Sequence, residues 1–158
     1  MVEKYLQSLI DGLKQKNELM DKLIALSEEQ QRIVGGNEVD WDTFDKTIDE
    51  KDVLIQKLGA LDEGFQAVFD RIKADVDSNR AKYKDYIREL QGLIKIVTEK
   101  STSLMALEQR TKARVTNGFG TQRQKLRQNK ESSKVASSYY NNMNRMNYID
   151  PQLMDTKK

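Results

Sequence analysis

The apolar residues of this 158-residue chain return every three or four positions over long stretches, a spacing that long helices packed side by side require. The longest stretch runs through Tyr83, Ile87, Leu90, Ile94, Val97, Leu104, Thr111 and Val115, with Ser101 and Glu108 completing its alternation of four- and three-residue steps. Tyr86, Leu93, Met105 and Leu107 widen the stripe. A broad stripe suits contact with two neighbouring helices better than the narrow seam of a two-stranded coil.

Two further helices precede it. Between Val2 and Val34 the pattern is carried by Leu6, Leu9, Leu13, Met20, Leu23 and Val34, with Ile10, Leu19, Ile24 and Leu26 beside them. Lys16, Ser27 and Gln30 occupy seam positions and weaken the pattern without breaking it. Gly35-Gly36-Asn37 ends this helix, and glycine's access to the left-handed conformation is the expected means. A second helix is expected from about Asp40, whose carboxylate can accept from free amides of the first turn, with Asp42 and Asp45 against the positive end of the dipole. Its core face reads Trp41, Phe44, Ile48, Ile55, Leu58, Leu61, Phe65, Val68, Ile72 and Val76, with Val53, Leu54 and Phe69 alongside. The poor helix formers Asp75, Asp77, Ser78 and Asn79 place a reversal over residues 77–80. The expectation is therefore an all-α, elongated antiparallel three-helix bundle over residues 1–117, with helices near 2–34, 40–76 and 79–116. Residues 118–158 form a basic, partly helical tail, flexible or ordered by a partner.

Composition narrows the chemistry. A third of the residues are charged, Pro151 is the single proline, and cysteine and histidine are both absent. Zinc sites, thiol nucleophiles and the favoured neutral-pH base depend on those two residue types, so no metal, cofactor or catalytic residue is expected. Asp49, Glu50 and Asp52 read as a solvated face, because acid–base work needs carboxyl groups held together in a pocket. No phosphate loop or nucleophile elbow occurs, and Gly118-Phe119-Gly120 lacks the context of one. The sequence points to a binding protein without a small-molecule substrate. Charges at Glu3, Lys4, Asp11 and Lys14 interrupt the apolar runs of the amino terminus, which gives neither a signal-peptide core nor a membrane span. A cytoplasmic protein is expected.

The near-neutral total of +2 hides a division. Residues 1–109 carry 16 basic and 22 acidic groups, whereas residues 110–158 carry 11 and 3. The basic run comprises Arg110, Lys112, Arg114, Arg123, Lys125, Arg127, Lys130 and Lys134, opposed by Glu131 alone. Such a run attracts anions without sequence preference, but Phe119 is its only aromatic, which disfavours a nucleic-acid partner. Beyond it Val135, Tyr139, Met143 and Met146 return to helical spacing, joined by Tyr140, Tyr148 and Ile149. Tyrosine and methionine are residues that interfaces favour. This cluster therefore reads either as a partner-binding surface or as a tail that folds back on its own bundle.

The stretch LIALSEEQQRIVGGNEVDWDTFDKTIDEKDVLIQKLGALDEGF resembles the amino-terminal half of the FlgN-type flagellar export chaperones, through Gly36-Asn37, Glu50-Lys51, Leu54, Leu58, Leu61 and Asp62. The ending NYIDPQLMDTKK is similar to the family's Tyr-Ile-Asp and terminal lysines, with Pro151 a departure. The resemblance implies a three-helix antiparallel bundle that binds hook-filament junction proteins and brings them to the flagellar type III export apparatus. It assigns substrate binding to the carboxy-terminal region, here about residues 114–149. On that basis Val135, Tyr139, Tyr140, Met143, Met146, Tyr148 and Ile149 are the expected apolar contacts, and Arg123, Lys125 and Arg127 steer acidic partners. Two readings stand beside it: a structural coiled-coil adaptor that self-associates, as in a homodimer, and a non-specific nucleic-acid binder using the basic tail.

Overall fold

The computed structural model describes residues 1–118, the side chains through residue 116. Three helices account for nearly all of them: α1 (Val2–Val34), α2 (Trp41–Ser78) and α3 (Lys84–Gly118). At 1.5 Å per residue each extends about 50 Å. They form a three-helix bundle in which the chain runs up, down and up. The start of α1 shares an apolar cluster with the end of α2 and the start of α3, through Leu6, Leu9 and Ile10, Phe69, Ile72 and Val76, and Ile87 and Leu90. At the far end Val34, Trp41, Phe44 and Val115 close the bundle. A middle cluster joins Met20 and Leu23 to Leu54, Ile55, Leu58 and Leu104. Helices α1 and α3 are thus parallel, and α1 packs closely along both neighbours, whereas the backbones of α2 and α3 stay farther apart.

The first and third helices bury the positions that their spacing marks. Leu6, Leu9, Leu13, Lys16, Met20, Leu23, Ser27, Gln30 and Val34 are all buried, in unbroken steps of three and four. So are Tyr83, Ile87, Leu90, Val97, Ser101, Leu104, Thr111 and Val115. Full burial of each leucine contributes about 1.5–3 kcal/mol. In α2 the face is rotated from the one that the apolar residues suggest. Leu54 and Phe69 belong to the core, Leu61 and Val68 are only half-buried, Val53 is exposed, and the carboxylate of Asp62 is inside. Counting three- and four-residue steps from Trp41 explains the shift: the seam runs Trp41, Phe44, Ile48, Lys51, Ile55, Leu58, Asp62, Phe65, Phe69, Ile72 and Val76. Two charged residues occupy it.

The turns differ from expectation in two respects. Gly35 ends α1 at φ −82° and ψ −9°, a right-handed conformation open to any residue, and its amide donates to the Gln31 carbonyl. The conformation therefore does not require a glycine, and the nearest neighbour of a β-carbon would be the movable end of an exposed side chain. A β-carbon there would meet Arg114 Nη1 at 2.9 Å and the Gln31 carbonyl oxygen at 3.0 Å. The second reversal is longer than the composition suggests, so that α3 begins at Lys84 and not near residue 79. Asn79 accounts for this, because its amide donates to the Val76 carbonyl while its side chain donates to the carbonyl of Asp75. Its own carbonyl accepts from the amides of Lys82 and Tyr83, which turns the chain before α3 starts. The Asp40 cap forms as expected, accepting from the Thr43 amide at 3.2 Å and hydroxyl at 2.7 Å.

Between the first and middle apolar clusters, Lys16 on α1 meets Asp62 on α2 at 2.7 Å, both side chains under 10 % exposed. Removing one member of such a pair leaves the other charge buried and unpaired, whereas apolar replacement of both is often neutral. Lys16→Met should therefore lower the unfolding free energy by about 3–5 kcal/mol, and Lys16→Met with Asp62→Leu should recover most of it. Urea unfolding of the two variants checks this. Equal losses in both would show that the pair is not acting as a unit.

Candidate functional site

The built polar feature of the described residues lies between the middle cluster and the far end. Lys51, projecting from the seam of α2, contacts the Glu108 carboxylate of α3 and donates to Gln30 Oε1 of α1 at 3.0 Å. Gln30 Nε2 donates to the Thr47 hydroxyl at 3.0 Å, and that hydroxyl donates to the Phe44 carbonyl. Ser27 donates to the same Glu108 carboxylate at 2.9 Å. One ammonium thus ties all three helices together. Around it Thr111 donates back to the Leu107 carbonyl, whose oxygen also accepts from Gln31 Nε2 at 3.3 Å.

The electrostatics follow from burial. Lys51 is 5 % exposed, and loss of water pushes its ammonium down from 10.5 to about 7, the neighbouring Asp52 carboxylate opposing. Asp52 is half-buried, and its own carboxyl is pushed up by burial and by Asp49. Such a node can set the register of three helices. It offers little to a reaction, since the polar atoms named are already engaged with one another. Among the described residues no group of three acidic, histidine or cysteine side chains is placed to hold a metal ion.

The residues that the sequence assigns to partner binding are not brought to this node. Arg123, Lys125, Arg127, Val135, Tyr139, Tyr140, Met143, Met146, Tyr148 and Ile149 lie outside the described residues. The leading part of the basic run is described: Arg110, Lys112 and Arg114 are exposed on the last turns of α3. Asp49 and Glu50 are exposed on α2, in keeping with a solvated face. Reading the apolar residues alone misses the partners that Lys51 and Asp62 find. The strict step count from Trp41 is the signal that locates them, and both are among the positions on which the family resemblance rests.

The fold is a three-helix bundle, and the family comparison gives its class, a helical export chaperone. The chain is a member of the FlgN family of flagellar export chaperones: the family model described as FlgN protein matches residues 1–148. No curated protein and no solved structure matches the chain. No helix among the described residues is long and apolar enough to cross a membrane.

The depressed Lys51 has a consequence for stability. The unfolded chain, with this lysine at 10.5, binds the proton more tightly than the folded one, so stability rises with pH between about 7 and 10.5, and the burial penalty is fully present below about 7. The urea midpoint should rise from about pH 7.5 to about pH 9, the rise being absent in Lys51→Met. A rise of equal size in the variant would assign the effect to another group.

Proposed function

We propose that this protein binds hook-filament junction proteins, holds them unassembled, and delivers them to the flagellar type III export gate. The observation that carries the reading is the extent of the family match, which runs through the bundle and on to residue 148, so that it includes the tyrosine- and methionine-bearing segment. The physical division of labour supports it. The bundle buries most of its apolar stripes, and few large apolar side chains are left exposed on it: Met1, Val53 and Ile96. The tail has apolar groups at Val135, Tyr139, Tyr140, Met143, Met146, Tyr148 and Ile149, too few for a core and suited to a partner's helix. Methionine adapts to varied surfaces, and Arg123, Lys125 and Arg127 attract acidic ones.

The test replaces Val135, Tyr139, Tyr140, Met143 and Met146 together by serine in the full chain and measures binding to purified hook-associated proteins by calorimetry. Affinity should fall by about 100-fold or more, the order expected when several interface anchors are lost. The helical circular dichroism and a cooperative melt should remain. Undiminished binding would remove the tail from the mechanism.

A further inference from the structure

The contacts of α1 settle which seam of the bundle is the weakest. One side of its stripe faces α3, where Asn17 accepts from Lys100 and Gln31 donates to the Leu107 carbonyl. The other side packs Leu19 and Leu26 against the Leu54 cluster of α2. What remains between α2 and α3 is bordered by Asp52, Gly59 and Gln66 on one helix and Gln91, Thr98 and Met105 on the other, positions seven residues, or two turns, apart along each helix. These borders are mostly polar or small, and the two backbones keep their distance. Consequently Phe65 and Ile94, which hold seam positions at one level, remain half-buried where their counterparts on α1 are fully covered. The result is a shallow groove with an apolar floor. Its α2 edge is acidic, with Asp49, Asp52 and Glu63, and Asp52 and Asp49 repel each other there.

We infer that this groove is the docking site of the chain's own tail, residues 121–149, which lies along it as a fourth helical segment running antiparallel to α3. Three observations choose this occupant. Helix α3 delivers the chain to the end of the groove at Gly118, followed by Phe119 and Gly120, where a reversal is easy. The tail's length matches, since 29 residues at helical rise span about 44 Å of a groove about 50 Å long. The charges of the α2 edge are complementary, Asp49 and Asp52 lying where Lys125, Lys130 and Lys134 would pass. Equal rise on both strands of the reversal then sets Met143 beside Ile94 and Phe65, and Tyr139 above the small border residues Gly59 and Thr98. The same side chains that bind a junction protein thus cover the groove when no partner is present. A partner must displace them.

The chain has no cysteine, so a designed pair reports cleanly. Gly59 has room for a side chain, with nothing within 4 Å of a β-carbon there, and so does Gly12 on α1, toward the seam with α2. In the full-length protein, Gly59→Cys with Ser138→Cys should form an intramolecular disulfide about ten-fold or more faster than Gly12→Cys with Ser138→Cys, because docking raises the effective concentration of one pair only. Equal rates would overturn the inference. A disulfide that forms only between copies, rising with protein concentration, would give the groove to a second copy's tail and overturn it too. Carboxyl-to-amine cross-linking of the unaltered protein is the companion measurement: links from Asp49, Asp52 or Glu63 to Lys125, Lys130 or Lys134 are expected, and their absence counts against docking. Neither measurement contains a partner, so their failure leaves the proposed cargo standing, and loss of cargo binding leaves them unaffected.

Discussion

The contact of Lys51 with Glu108 and Gln30 is the constraint on which the alignment of the three helices depends. An ammonium in an apolar layer is tolerable only where carboxylate and amide oxygens reach it, and those oxygens come from the two other helices. Sliding any helix by one turn would strand the charge. The Lys16–Asp62 pair imposes the same condition between α1 and α2 at a second level, so that two polar layers alternate with three apolar clusters along the bundle. Apolar seams alone would accept several registers at similar energy, and buried polar groups are one way to select among them.

Specificity of this kind weakens the fold locally. Burial opposes each charge, and the pairing restores what burial removes without adding much. The apolar clusters must therefore supply the stability, and they are concentrated where α1 touches its neighbours. Fully buried Leu6, Leu9, Ile10, Met20 and Leu23 all belong to that helix. With α1 at the centre, α2 and α3 have less need of each other, and the seam between them carries polar borders and half-covered aromatic and aliphatic groups. A bundle whose strength lies on two of its three seams has one side free to interact.

Much of this was legible in the spacing of apolar residues. The steps through Leu6 to Val34 and through Tyr83 to Val115 identify most of the buried faces, because in those helices the apolar residues on either side of Lys16, Ser27, Gln30, Ser101 and Thr111 keep the count. Helix α2 is harder, since Leu61 and Val68 lie one position from the seam and draw attention from Asp62. Composition treats a charge as a solvent-facing group, and only the partner, 46 residues away for Lys16 and 57 for Lys51, makes it a core residue. That separation is also why the node was invisible: no local pattern states that Lys51 and Glu108 meet. The Asp40 cap was readable from one helical turn, whereas the approach of Arg114 to Gly35 joins residues far apart in the chain. The tail residues assigned to partner binding rest on residue type and family likeness.

The parallel pairing of α1 with α3 bears on how the chain is made. Of the three helices, the one synthesised first carries the fully buried Leu6, Leu9 and Leu23, yet one of its two partners is synthesised last. Until residues near Val115 have been synthesised, the α3-facing side of α1 has nothing of its own chain to cover it. A hairpin of α1 and α2 would meanwhile display Leu9, Ile10 and Leu23 to solvent along one edge. A protein that keeps others from sticking together must therefore pass through a sticky stage itself during synthesis, ended by the arrival of its third helix.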